Sequence, residues 1–170
     1  IIFRYTPTDV IVMGEGEDTV AELFPALLDK NYSLEHIKGI AYRTEGDKFR
    51  ITEPRPLIDN LDRIPFPEWE LFPMEVYLNN PIVGIGRDLD MITSRGCPFG
   101  CIYCYQQFGR RYRYMSPERM IAELREIKQR YDVDFISFQE DCFVVNKKRV
   151  YKFCDLLDKE PYKVRWSCDG

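Results

Sequence analysis

Long apolar runs are missing from this sequence. None approaches the roughly 18 residues that a membrane-crossing helix needs. No signal peptide opens the chain, which starts "IIFRYTPTDV" without a methionine and ends on "VRWSCDG" directly after a strand-like stretch. It therefore reads as an internal piece of a longer protein, and a cytoplasmic, reducing setting is the expectation. An excess of positive charge is also missing: the net charge is −4, which argues against nucleic acid as the main partner. The one basic patch, Arg110 to Tyr114 ("RRYRY"), is local. Internal repeats and low-complexity tracts are absent, and histidine occurs once, as His36. What is plentiful is apolar and aromatic: 45% hydrophobic residues, with 11 Phe, 11 Tyr and 2 Trp. Such a chain has enough surface to bury and is not disordered.

The order of patterns predicts an α/β protein in two parts. Val10 to Met13 reads as a short strand, Gly14-Glu15-Gly16 as a turn, and the stretch from Asp18 as a helix capped by that residue. Val20, Leu23, Phe24, Leu27 and Leu28 have the spacing of one helix face. Ile37 to Arg43 and Phe49 to Glu53 then read as a hairpin across Gly46-Asp47. Residues 1–53 are taken as the first part. Residues 54–86, with prolines at 54, 56, 65, 67 and 73, read as an extended linker. From 87 to 170 the pattern alternates: a strand at Asp88 to Ser94, a helix capped by Ser116 with Pro117 behind it, a strand at Asp134 to Gln139, a helix from Asn146 to Asp158, and a strand at Lys163 to Cys168. Met120, Ile121, Leu124, Ile127 and Tyr131 form the inner stripe of one helix, and Val150, Phe153, Cys154 and Leu157 that of the next. Strand–helix–strand–helix–strand predicts a parallel sheet.

Between the first strand and first helix of that second part lies "RGCPFGCIYCYQ", with Cys97, Cys101 and Cys104 spaced C-x3-C-x2-C. Three thiols cannot pair off as disulfides, and in a reducing compartment a cysteine cluster points to metal or redox chemistry. Thiolates are soft ligands that suit zinc, copper(I) or iron–sulfur clusters. Structural zinc needs a fourth ligand. The candidates are Cys142, far along the chain, and His36, in the other part. Three cysteines suit a cubane with one open iron. Gly96 and Gly100 let the backbone wrap closely, Pro98 stiffens the turn, and Phe99, Tyr103 and Tyr105 are expected to shield a cluster from water. A non-catalytic zinc module and an iron–sulfur electron-transfer module stay open as rivals.

C-x3-C-x2-C with an aromatic residue just before the last cysteine resembles the signature of the radical S-adenosylmethionine (SAM) enzymes. The resemblance implies a [4Fe-4S] cluster on Cys97, Cys101 and Cys104. Its open iron would bind the amino and carboxylate groups of SAM, and reductive cleavage would give a 5′-deoxyadenosyl radical. It also implies a partial (β/α) TIM-like barrel for residues 87–170. Glu140 and Asp141, in "FQEDCF", would accept hydrogen bonds from the SAM ammonium, and Tyr103 would lie near the adenine. "DVIVMGEGEDTVAELFPAL", with the hairpin and "LDRIPFPEWELFP" after it, is similar to the subfamily with a Rossmann-like cobalamin-binding domain. That likeness places Gly14, Glu15 and Gly16 near the nucleotide tail of the corrinoid. The subfamily's cobalt-ligating Asp-x-His-x-x-Gly motif would lie upstream; His36 lacks that context and reads as a surface residue. The overall reaction implied is cobalamin-dependent methyl transfer, or related ring chemistry, on a small molecule. Flavodoxin or ferredoxin would be the electron donor.

Three further patterns are read more plainly. Gly14-x-Gly16-x-x-Thr19 falls short of the dinucleotide fingerprint, and Glu15 and Glu17 would repel a pyrophosphate. Cys142, Cys154 and Cys168 are too dispersed for a second cluster, and Cys154 behaves as a small hydrophobe. Arg110, Arg111 and Arg113 either face an anionic group or sit on a solvated loop.

Overall fold

The computed structural model describes residues 2–29, 32–79, 86–105 and 107–170. Positions 80–85 of the sequence-read linker and Gln106 of the cysteine stretch lie outside the described residues. The chain divides into two compact units, Ile1–Asp59 and Asn60–Gly170. The division falls inside the proline-rich stretch.

In the first unit a one-turn helix, α1 (Ile2–Tyr5), precedes β1 (Val10–Val12), α2 (Glu17–Leu28), β2 (Ile40–Arg43) and β3 (Phe49–Ile51). The sheet order is β1-β2-β3, and both pairs are antiparallel. The hairpin turn carries Gly46 at φ +70°, as its position requires. Its core gathers Leu23, Ala26, Ile37, Ile40 and Tyr42, with Val10, Val12 and Leu34 packed against it. Two expectations need correction. The helix begins at Glu17, so Gly16 is the N-cap and Asp18 lies inside the first turn. The face that packs is Thr19, Leu23 and Ala26, whereas Phe24, Leu27 and Leu28 are exposed. Only one face of a helix can rest on a sheet, and here it is that of Thr19, Leu23 and Ala26.

In the second unit the proline-rich segment is more than a spacer. Leu61 is buried, and a short helix, α3 (Met74–Leu78), buries Met74 and Leu78. Asp62 accepts a hydrogen bond from the Ser116 amide at 2.7 Å, and Arg119 donates to the Ile64 carbonyl at 2.9 Å while its guanidinium covers the Phe66 ring at 3.5 Å. Proline rules out long ladders, yet single apolar side chains between prolines still find core.

The remaining elements are β4 (Asp88–Met91), β5 (Ser94–Arg95), β6 (Arg113–Tyr114), α4 (Pro117–Tyr131), β7 (Phe135–Phe138), α5 (Lys147–Leu157) and β8 (Arg165–Cys168). Strands β4, β7 and β8 form a parallel sheet in that order, with Leu89 opposite Ile136 and Ile136 opposite Trp166. Parallel neighbours need crossovers, which α4 and α5 supply. Ser116 Oγ accepts from the Arg119 amide at 3.1 Å, and Asn146 Oδ1 from the Arg149 amide at 3.1 Å, so both helices start on side-chain caps. Phe138, Phe143, Phe153 and Trp166 pack ring on ring, with the Phe138 and Phe143 centroids 4.6 Å apart. The stripe of α4 is buried as its spacing predicts, Tyr131 excepted. On α5 Val150, Cys154 and Leu157 are half-buried, and the buried pair is Phe153 and Arg149.

Candidate active site

The C-terminal ends of β4, β7 and β8 lie on one rim, where parallel α/β folds build their sites. β4 runs on into β5, and β5 pairs antiparallel with β6, placing Ser94 opposite Tyr114 and Arg95 opposite Arg113. Residues 96–112 are thus a loop closed at its root. Gly96 starts it at φ +82°, and a Cβ there would press into the Arg111 carbonyl and stand 3.0 Å from the Gly109 oxygen. Only glycine satisfies both the backbone angle and that approach. The Cys97 amide donates to the Gly109 carbonyl at 3.1 Å, and the Cys104 amide to the Cys101 carbonyl at 3.2 Å. The first bond ties the two sides of the loop together, and the second makes a tight turn between two of the cysteines.

All three loop cysteines are free thiols, Cys97 half-buried and Cys101 and Cys104 exposed. They share one loop but do not converge: no group of three His, Cys, Asp or Glu side chains among the described residues stands close enough to hold a metal ion. Thiolates repel one another, and a ligand loop is drawn together by its cation as it binds. The donor chemistry fits an iron–sulfur cluster: three soft ligands, in no disulfide, on a single anchored loop. The shielding role expected of the aromatic residues is not seen. Phe99, Tyr103 and Tyr105 are 55%, 88% and 85% exposed. A loop clipped only at its root has no core of its own to bury them in.

Beside the loop is a cleft of about 350 Å³. Gln107 and Phe108 from the loop line one side, and Ser94, Glu140, Asp141 and Asp169 are among the residues from the sheet rim on the other. It brings the end of the cysteine loop to the acidic ends of β7 and β8. Asp141 is exposed there, as a ligand-accepting carboxylate must be. Asp169 is a rim residue that sequence reasoning missed; its signal is its place just after a strand, matching Gln139 and Glu140 after β7.

Glu140 requires a correction. Its carboxylate is turned inward and spent within the protein. Oε2 accepts from the Thr93 and Ser94 amides, both at 2.6 Å, and from the Thr93 hydroxyl at 3.0 Å. Oε1 faces Arg149 Nη1 at 3.5 Å, and the side chains of Arg149 and Glu140 are 1% and 0% exposed. A buried carboxylate needs just such partners, which leaves it little capacity for an ammonium group. Arg149 had only its position on α5 to announce it, and a helical arginine ordinarily reads as solvated.

Among the other thiols, burial pushes Cys142, Cys154 and Cys168 up from their ordinary pKa values. Arg113 is buried at the loop root, and Arg110 and Arg111 are exposed. His36 is exposed at the end of a 3₁₀ turn. In the first unit Gly14 has φ +79° with open space around the site of a Cβ. Glu15 is buried, and its carboxylate accepts from the Ile58 amide at 2.7 Å, so it holds the turn from within. No helix among the described residues is long and apolar enough to cross a membrane.

Comparison with known proteins bears on the same residues. Residues 91–170 match the model of the radical SAM superfamily. An uncharacterized methyltransferase from Pyrococcus horikoshii is 40% identical over 95% of this chain and 34% of its own length. The anaerobic magnesium-protoporphyrin IX monomethyl ester cyclase of Rubrivivax gelatinosus is 32% identical over 94% of this chain and 29% of its own length. The chain thus spans about a third of these curated relatives. The solved structure of the cobalamin-dependent SAM radical enzyme OxsB, with aqua-cobalamin and SAM bound, superposes with a TM-score of 0.76. It is 22% identical, and the match covers 96% of this chain and 23% of OxsB. That likeness speaks for the α/β fold; the 91–170 match and the identity to the relatives speak for descent. Residues 91–170 belong to the radical SAM superfamily.

Proposed function

We propose that this chain is part of an enzyme that cleaves SAM reductively at a [4Fe-4S] cluster held by Cys97, Cys101 and Cys104. The observation that carries the reading is the placement of three free thiols on one root-anchored loop at the C-terminal rim of a parallel sheet, inside the segment that matches the family. The chemistry supplied by the bound cluster is one-electron reduction of SAM, which releases methionine and a 5′-deoxyadenosyl radical. The protein's own part is ligation, orientation and exclusion of water. The cysteines provide three thiolates and leave one iron position to substrate. Asp141 and Asp169, open to the cleft, are the carboxylates available to an ammonium group as charge-assisted acceptors. Tyr103, free of packing partners in the core, is available to cover the adenine.

The reaction proposed for the whole protein is cobalamin-dependent methyl transfer or related ring chemistry on a small molecule, in the cytoplasm, with a flavodoxin or ferredoxin as donor. Supporting it are relatives named as a methyltransferase and a cyclase, and the fold shared with a cobalamin-dependent enzyme. In this reading residues 1–53 end a Rossmann-like cobalamin-binding domain, and residues 87–170 begin the TIM-like barrel. The open turn at Gly14 and Gly16, ahead of α2, is where a corrinoid tail would approach, with Glu15 shaping the turn from inside.

The test is anaerobic incubation of the full-length protein with dithionite and SAM, with detection of 5′-deoxyadenosine. Wild type and Cys154→Ala should form it; Cys97→Ala, Cys101→Ala and Cys104→Ala should not. Product from the Cys101 variant, or none from wild type containing iron and sulfide, would refute the assignment. Corrinoid absorbance in the purified full-length protein tests the cobalamin part separately.

A further inference from the structure

Arg149 belongs to α5, well outside the cysteine loop in sequence, yet its guanidinium reaches both sides of the loop's root. On the incoming side Nη2 donates to the Thr93 carbonyl at 3.1 Å and to the Thr93 hydroxyl. On the returning side Nε donates to the Met115 carbonyl at 3.1 Å and Nη1 to the Tyr112 hydroxyl at 3.3 Å. Glu140, its ionic partner, takes the Thr93 and Ser94 amides. The Tyr114 and Phe143 rings flank the guanidinium, with centroids 5.6 and 5.0 Å away. Thr93, Ser94, Tyr112, Tyr114 and Met115 are the residues between which the loop is hung.

We propose that Arg149 and Glu140 form a buried clamp that holds the two roots of the cysteine loop in fixed register, and so positions Cys97, Cys101 and Cys104 to meet on one cluster. The inference rests on the cluster reading of the loop. Two physical arguments favour it over a purely stabilising role. A buried ion pair is a poor stabiliser, because well-packed apolar side chains of similar volume often do as well or better. Apolar side chains, however, cannot bind carbonyls and amides from two separate chain segments at once. Lysine could not replace the arginine either: a planar fork of five donors reaches five oxygen acceptors here, whereas an ammonium is a compact charge. Arg149 and Glu140 touch no reacting atom and are positioning residues.

The test uses the full-length protein with Arg149→Lys, which keeps a positive charge beside Glu140, and Leu124→Ala as a control for general destabilisation in the same unit. In metal-free protein, hydrogen exchange at residues 93–95 and 113–115 should quicken about tenfold or more in Arg149→Lys, against little change in β7. Leu124→Ala should not single out those amides. On anaerobic reconstitution, the affinity for the cluster should fall about tenfold or more in Arg149→Lys, the range expected when support behind metal ligands is lost. The EPR change on adding SAM should differ from wild type, while Leu124→Ala keeps the wild-type spectrum. Unaltered exchange at the loop roots, or losses no larger than those of Leu124→Ala, would overturn the clamp. If Arg149→Lys does not fold, Glu140→Gln, of the same shape, gives the same comparison. If wild type itself takes up no iron–sulfur cluster, the proposed function fails, and the exchange result alone decides whether the roots are clamped.

Discussion

Gly96 is the residue at which backbone angle, packing and ligation meet, and its replacement by alanine yields a number. Two separable costs arise. The first is conformational: at φ +82° an L-residue with a Cβ costs about 1–2 kcal/mol. The second is steric: the added methyl presses into the Arg111 carbonyl and lies 3.0 Å from the Gly109 oxygen. Both are backbone atoms, which cannot swing aside, and overpacking of this kind costs about 1–3 kcal/mol. The combined cost is about 2–5 kcal/mol. Gly109 isolates the two effects, because it has φ +71° but nothing within 4 Å of an added Cβ. Gly109→Ala should therefore show the conformational cost alone, about 1–2 kcal/mol. Thermal or denaturant unfolding of the two variants in parallel checks this, with Gly96→Ala the less stable by about 1–3 kcal/mol. Because the relief of the clash must open the loop at Cys97, iron uptake should fall in Gly96→Ala and hold in Gly109→Ala. Equal melting points for the two variants would refute the steric argument. A destabilised Gly96→Ala that still loads iron fully would refute the link from loop root to ligand geometry.

The buried pair on α4 gives a pH dependence. Burial pushes the Glu123 carboxyl up to about 7, against the opposing pull of Arg119. The folded state therefore holds a proton more tightly than the unfolded chain, so this group favours folding most below pH 4.5 and the contribution is lost as pH rises through about 7. Glu123→Gln should flatten that decline, making the variant relatively more stable at pH 8 than at pH 5 in urea melts; a parallel decline in both proteins contradicts it. Thiol labelling of metal-free protein should modify exposed Cys101 and Cys104 fast and buried Cys142 slowest, read by peptide mass mapping. Phe153→Ala, emptying the centre of the four-ring cluster, should cost about 3–5 kcal/mol in denaturant unfolding.

How much the sequence discloses depends on the range of the interactions. Strands β4, β7 and β8, helices α4 and α5, and the caps Ser116 and Asn146 come from local pattern, and local pattern announces itself in a run of letters. The cysteine loop was legible for a different reason: its ligands sit within eight positions, so spacing alone carries the chemistry. Reading failed where meaning depends on what lies across the fold. Phe24, Leu27 and Leu28 have perfect helical spacing, yet the sheet took the face of Thr19, Leu23 and Ala26, and no window within the helix says which face that will be. Leu61 and Leu78 hide core positions among prolines for the same reason. Glu140 shows the effect most directly at the site. At the end of a strand, an acid next to another acid looks like a pair with one task. Both residues border the cleft, but Asp141 is exposed, while the buried Glu140 side chain is bonded to the Thr93 and Ser94 amides, dozens of positions earlier, and faces Arg149 on the next helix. A carboxylate's role here depends on which side of the rim its side chain takes. On the inward side Glu140 meets Arg149, which bonds both roots of the loop, a residue whose letter in "NKKRVYKF" looks like one more solvated charge.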